Sequence, residues 1–257
     1  MELGSMFARR LAVIGVLGGV KCPCEGGLVT LIWFVSLFSL GDWVGRAVWA
    51  SVALVVVMFL VGFYLYPRMP ERVAIHWGLS GEANGYGSRF LGLFLVPIIS
   101  LLLLPFMLAL PRLDPSRGIE RFRGGYDRFV FGFIAYMGYV HGLSVAWNLG
   151  WRFSFMRMLA PAIGLLFVGI GLLLRGARLN WFMGIRTPWT LSSEEVWDRT
   201  HEVGSRLFIA SGVLAVLGAL ADGWLALALI MVPMMLSGVY LVYYSYAEYR
   251  RLDGSAS

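Results

Sequence analysis

Few residues in this chain are equipped for chemistry, and they gather in a few places. Both cysteines stand one proline apart in GVKCPCEGGLV (19–29), beside Lys21, the one lysine among twenty arginines. Thiolates select soft cations such as Cu(I), Zn²⁺ or Hg²⁺, and an adjacent lysine favours thiolate over thiol. Two sulfurs leave a tetrahedral site half built. Cys22 and Cys24 therefore read either as ligands for a soft metal ion or as the proline-broken tip of a membrane-embedded hairpin, with Lys21 and Glu25 pairing or reaching the interface. No other cofactor is expected.

The three histidines mark the other places. His201 follows Trp197 by four residues in EEVWDRTHEVG, near Glu195 and Asp198. It reads as a proton acceptor or ligand, or as a hydrogen-bonded histidine packed on Trp197. Arg186, just upstream, has the planar fork that suits a phosphate headgroup or a partner's carboxylate; the competing role is to pin its loop to Glu194 or Glu195. Trp189 and Trp197 also fit simple interfacial anchoring. His76 and Trp77 form a candidate ligand-facing surface or a structural pair. His141 sits in YMGYVHGLSVAW beside Gly138 and Gly142, whose spacing suits close helix approach. An ionisable group at membrane depth marks a pathway unless a neighbour holds it quietly. No nucleophile–base pairing, complete metal-ligand spacing or phosphate loop is visible, so no enzymatic activity is expected.

The elements that position these residues follow from composition. The 257-residue chain is 59% hydrophobic and 14% charged, where a soluble domain carries roughly 25% charge. A spanning helix needs roughly 20 apolar residues. Stretches 47–67, 90–111, 129–151 and 223–246 meet that length without Asp, Glu, Lys or Arg, and 158–174 and 207–221 extend into their flanks. The fold class expected is an all-α, polytopic transmembrane bundle of six spans, with the lipid bilayer as its first partner. The net charge of +6 then reflects topology rather than direct nucleic-acid binding.

Segment 11–40 is too long for one upright span and is interrupted by Pro23, Gly26 and Gly27. Each half is too short to cross alone, so it reads as a re-entrant or broken-helix hairpin. A cleaved leader is disfavoured because Lys21 occupies a position that wants a small residue. With that hairpin, Arg9, Arg10, Arg46, Arg112, Arg117, Arg121, Arg123, Arg128, Arg175, Arg178, Arg186, Arg199, Arg206, Arg250 and Arg251 fall inside. Arg68, Arg72, Arg89, Arg152 and Arg157 fall outside. The positive-inside bias thus places both termini in the cytoplasm of a multi-pass cell-membrane protein. Four parts follow: 1–44, the hairpin with its Cys-Pro-Cys tip; 45–111, two spans around an external loop at 66–90; 112–178, a basic loop and two spans; and 179–257, a motif loop and the last two spans.

Two loops depart from the Leu, Val, Gly and Phe background. In YPRMPERVAIHWGLSGEANGYGSRF (66–90), Pro67 and Pro70 stop the helix. The stretch 73–77 is strand-like, and GLSGEANGYGS is dense in turn residues. In LNWFMGIRTPWTLSSEEVWDRTHEVGSRLF (179–208), Gly184 and Pro188 break the helix. Ser192 with Glu195 reads as a capping box, Glu195 supports Arg199 at i, i+4, and the new helix runs into the fifth span.

These two segments resemble the signatures of the SdpI-type immunity family and of the external-loop domain of unknown function that accompanies it. The resemblance covers roughly 47–250. Its motif positions here are Asn180, Gly184, Arg186, Thr187, Pro188, Trp189, Thr190, Trp197, Thr200 and His201, with Pro67, Pro70, His76, Trp77, Gly81, Tyr86 and Ser88 outside. Asn84 and Arg89 stand where the family often has an acidic residue and a lysine, and 11–40 is no part of the pattern. The resemblance implies a six-span membrane protein, resistance to a secreted peptide toxin, and retention of a cytoplasmic transcriptional repressor when toxin is present. Asn180, Arg186, Thr187, Trp189, Trp197, His201, His76, Trp77, Tyr86 and His141 are the candidate binding residues. The alternative function is a transporter or channel for protons, small ions or a soft metal.

Overall fold

The computed structural model describes residues 45–221 and 223–254. The hairpin expected at 11–40, with Cys22 and Cys24, lies outside the described residues.

Among the described residues six helices are long and apolar enough to cross a membrane. In chain order the elements are α1 (Arg46–Leu65), β1 (Arg72–Trp77), β2 (Ala83–Ser88), α2 (Arg89–Leu113), α3 (Gly118–Arg121), α4 (Arg123–Asn148), α5 (Phe155–Gly176), α6 (Pro188–Ser192), α7 (Glu194–Leu217) and α8 (Gly223–Asp253). The expected all-α polytopic bundle is present. Helices α4 and α7 begin well before the charge-free runs at 129 and 207, because polar first turns carry each helix beyond its apolar stretch. Outward-facing Phe63, Leu102, Val239 and Trp224 are all more than 60% exposed. Surface this apolar is stable only when another medium covers it, and a bilayer supplies that medium.

Helix α4 is the hub. It packs against α1, α2 and α5, while α5 packs most extensively on α7, which in turn packs on α8. Val55, Met58, Leu104, Tyr126, Val130 and Ile134 fill the core between α1, α2 and α4. The α5–α7 crossing is tight because glycines face each other. A Cβ on Gly164 would lie 2.5 Å from the Gly212 carbonyl oxygen, and one on Gly171 would lie 2.8 Å from that of Ser205. Without a hydrophobic drive between helices in lipid, such close backbone approach is what holds spans together. Of the glycine pair beside His141, Gly138 meets the Leu54 side chain, whereas Gly142 has nothing within 4 Å.

Strands β1 and β2 pair antiparallel, Val73 opposite Gly87 and Ala74 opposite Tyr86. The sequence signals β1 but reads 78–88 as turns. Pairing with β1 decides the matter, and Gly87 admits the Ile75 side chain where a Cβ would sit 2.7 Å from it. The ribbon is clasped from three sides. The Asn148 amide at the end of α4 bonds both the Ala74 N–H (2.8 Å) and its carbonyl (2.9 Å). The Phe155 N–H donates to Gly81 O at 3.1 Å, and Arg89 N–H to Glu71 O at 3.0 Å.

Candidate functional site

At the end of the bundle opposite the ribbon, the segment between α5 and α7 folds onto itself before the chain re-enters the bundle. Asn180, fully buried, organises its first turn. Its Oδ1 accepts from the Phe182 and Met183 N–H groups at 3.0 and 2.7 Å, and its Nδ2 donates to the Arg178 and Met183 carbonyls at 2.8 and 3.0 Å. All four bonding positions of the amide are thus used. A second staple comes from Asp114, just past α2. Its carboxylate accepts from the Trp181 N–H and Ile119 N–H, each at 3.2 Å, and from the Ser116 hydroxyl at 2.9 Å. Burial by itself would raise this carboxyl, but the donors from Ile119, Ser116 and Trp181 outweigh it and hold it below the ordinary aspartate range. Gly118 completes the joint: a Cβ there would lie 1.9 Å from Leu179 O.

The next turn rests on His201. Its Nδ1 donates to the Trp197 carbonyl one helical turn back (2.8 Å), and its Nε2 accepts the Ile185 N–H (3.0 Å). A carbonyl can only accept and an amide N–H can only donate, so the ring is the neutral Nδ1–H tautomer. The ring stacks on Trp197 at 3.9 Å between centroids, and the Trp197 Nε1–H reaches Ala177 O at 3.0 Å. Gly184, at φ +110°, passes directly over the pair, where a Cβ would lie 2.3 Å from His201 Nε2. His201 and Trp197 are 2% and 0% exposed. They therefore shape the loop from beneath and do not meet solvent.

Thr187 and Thr190 close the loop. Thr187 caps α6 in a reciprocal box with Thr190, their backbone N–H groups donating to each other's hydroxyls at 2.9 and 3.2 Å. The Thr187 hydroxyl also donates to Ser245 on α8 (3.0 Å), and Trp189 packs on Tyr246 at 5.1 Å. The capping box expected at Ser192 and Glu195 sits elsewhere. Because α6 ends on Ser192, whose hydroxyl donates to Trp189 O, the cap of α7 moves one residue on, to Ser193. Glu195 instead pairs with Arg199, as the i, i+4 spacing predicts. Arg199 also pairs with Glu248 of α8, which Arg251 engages in turn. The motif loop is thereby tied to the last helix by hydroxyls, rings and charges together.

What this end presents to its surroundings is a different set. Arg186 is exposed, and its guanidinium donates to the Trp181 carbonyl rather than to Glu194 or Glu195. Trp181 and Phe182 are 54% and 37% exposed, and Glu194, Glu195 and Asp198 at the start of α7 are exposed as well. Sequence reasoning singled out neither aromatic. The signal was a pair of large rings immediately after Asn180, whose turn drives them outward.

At the ribbon end, His76 Nδ1 meets Asn84 Oδ1 at 2.6 Å across the hairpin, and Tyr86 is half-exposed. Trp77 stacks on Phe155 at 4.0 Å and meets Trp147 edge-on at 6.0 Å. Among the described residues, its Nε1 and the Thr200 hydroxyl are the buried side-chain donors without a partner. His141 is buried in the bundle, with Nε2 at 3.0 Å from Leu93 O, and locks α4 to α2. Among the described residues no three His, Cys, Asp or Glu side chains gather closely enough to hold a metal ion.

Comparison with known proteins agrees with this division into two ends. Residues 177–245 match the SdpI/YfhL protein family, and residues 53–101 match a domain of unknown function, DUF1648. The chain is also 25% identical over 208 residues to the immunity protein SdpI of Bacillus subtilis (strain 168), covering 80% of this chain and 97% of that protein. The resemblance to the SdpI-type family read from the two motif loops is thus borne out. No solved structure matches the chain.

Proposed function

We propose that this multi-pass membrane protein, similar to an immunity protein along four-fifths of its length, confers resistance to a secreted peptide toxin or a similar envelope stress and reports that stress inside the cell. The observation that carries this reading is the placement of the two family matches. One lies on the clasped ribbon and its two spans, the other on the interlocked loop and the last two spans, at opposite ends of one bundle. The arginine bias supports a cytoplasmic loop end, with both termini on that side and the ribbon outside. Toxin is then received at the ribbon and adjoining spans. The exposed Trp181, Phe182 and Arg186 form the face for a soluble regulator such as a transcriptional repressor, since aromatic and arginine side chains dominate interface energetics. Neither role requires turnover of a substrate, so the proposed function is non-enzymatic.

The test is protection of a toxin-sensitive host that expresses the chain. Arg186→Ala and Trp181→Ala act at the exposed face, the first also removing the hydrogen bond to the Trp181 carbonyl, and are expected to release the regulator. Trp197→Ala removes the support beneath the loop and is expected to do the same. If all three variants insert normally and leave protection and regulator retention unchanged, the loop is not the reporting face and the reading fails.

A further inference from the structure

Helix α2 carries three prolines, Pro97, Pro105 and Pro111. A proline has no N–H, so each leaves the carbonyl four residues back without its helical donor. Those carbonyls belong to Leu93, Leu101 and Met107. In hydrocarbon no water replaces the missing bonds, and neighbouring helices must supply them. Helix α4 supplies two. His141 Nε2–H donates to Leu93 O at 3.0 Å, and the Tyr126 hydroxyl donates to Met107 O at 2.5 Å. Both side chains are buried, and they stand about four helical turns apart on α4, so the same side of that helix presents both donors. Pro97 and Pro111 are buried with them. Pro105 is exposed, and no side chain among the described residues donates to Leu101 O.

The two ends of α2 are fixed to different parts of the protein. At its first turn Arg89 N–H donates to Glu71 O at 3.0 Å, and a Cβ on Gly92 would lie 2.3 Å from the Val73 side chain, so the helix is seated on the ribbon. Just past its last turn the Asp114 carboxylate accepts the Trp181 N–H at 3.2 Å. Leu93 and Asp114 are separated by about 30 Å of helix. Sharp bends in helices occur at prolines, and the open gap under Pro105 lies between the two bonds that α4 makes. Each bond fixes one half of α2, and both act on the same angle at Pro105.

We propose that α2 is a relay between the ribbon and the motif loop, with His141 and Tyr126 as the clasps that hold its angle. Movement of the ribbon that draws Leu93 away from His141 frees that angle, weakens the hold of Tyr126 and of Asp114 beyond it, and loosens the turn that presents Trp181, Phe182 and Arg186. The relay deepens the two-ended function proposed above and rests on it for the signal carried. The coupling itself is measured without toxin or regulator, so the two readings fail separately.

Hydrogen–deuterium exchange of the detergent-purified full chain, read by mass spectrometry, tests the link. His141→Phe removes the Leu93 clasp and is expected to speed exchange in 179–187, beyond the far end of α2, about fivefold, with the middle of α5 unchanged. Coupling between sites is reciprocal. Tyr126→Phe, which loses a hydroxyl and keeps the ring, is therefore expected to speed exchange in 71–77 by a similar factor, and it keeps the proposal testable if His141→Phe does not fold. Pro97→Ala gives α2 its own donor to Leu93 O, so adding it to His141→Phe is expected to restore the unmodified rate at 179–187. Faster exchange confined to the ribbon and the first turns of α2 in His141→Phe makes His141 a local clasp and overturns the relay. So does an equal rise in the middle of α5, a ribbon unmoved by Tyr126→Phe, or no rescue by Pro97→Ala.

Discussion

His201→Phe separates the two things the imidazole does beneath the motif loop. Phenylalanine keeps a flat ring over Trp197, now stacked at 3.9 Å, but offers no acceptor to Ile185 and no donor to Trp197 O. The Ile185 N–H, 3.0 Å from Nε2, is left unsatisfied in a pocket that is almost fully closed. Leaving one such donor unpaired costs roughly 1–3 kcal/mol. Because the loop carries its own turns, most of that cost falls on local opening of 183–187 rather than on the six-span bundle. Arg186 then becomes a reporter, since trypsin cuts after it only when the buried Thr187 leaves its place against Ser245. In detergent-solubilised protein, with reclosing faster than cleavage, the cutting rate follows the open population. It should rise about 5- to 150-fold in His201→Phe, while the global melting temperature moves little. A cleavage rate equal to that of the unmodified chain would refute the claim that the Nε2 lone pair holds the loop.

Four further outcomes follow from the same geometry. The depressed Asp114 carboxyl contributes stability that is fully present above its unfolded value, about 3.9, and is lost as pH falls through its lower folded value. Asp114→Asn should therefore melt earlier than the unmodified chain at neutral pH, with the gap narrowing in a thermal series taken below about pH 4. Asn148→Ala removes both hydrogen bonds to Ala74; it should cost about 2–4 kcal/mol and speed amide exchange at Ala74 far more than in α8. Gly212→Leu places atoms within 2.6 Å of Gly164 O, and overpacking should lower stability by about 1–3 kcal/mol or more. Gly142→Ala meets nothing within 4 Å and should be neutral or stabilising in the same melting assay.

Much of the architecture was legible in one dimension. A run of 20 residues without charge has one stable solution in a bilayer, a helix that satisfies its own backbone. Span number and order therefore followed from composition, and Pro67, Pro70, Gly184 and Pro188 marked where helices give way to loops. The i, i+4 pairs Glu195–Arg199 and Trp197–His201 were equally readable, because helical spacing alone brings them together.

What the tertiary structure decided are the pairings that no local spacing encodes. Asp114 and the Trp181 N–H are 67 positions apart, and Ala74 and the Asn148 amide 74, so their joining depends on how α2, α4 and α5 pack. Strand β2 has the composition of a turn and becomes a strand because β1 supplies its partner. The cap of α7 falls on Ser193 because α6 had already taken Ser192. Most of all, sequence could name Trp197, His201 and Asn180 but could not say which way they face. The hydrogen bonds of the folded loop turn them inward as its frame, and they leave Trp181, Phe182 and Arg186 to meet whatever lies outside.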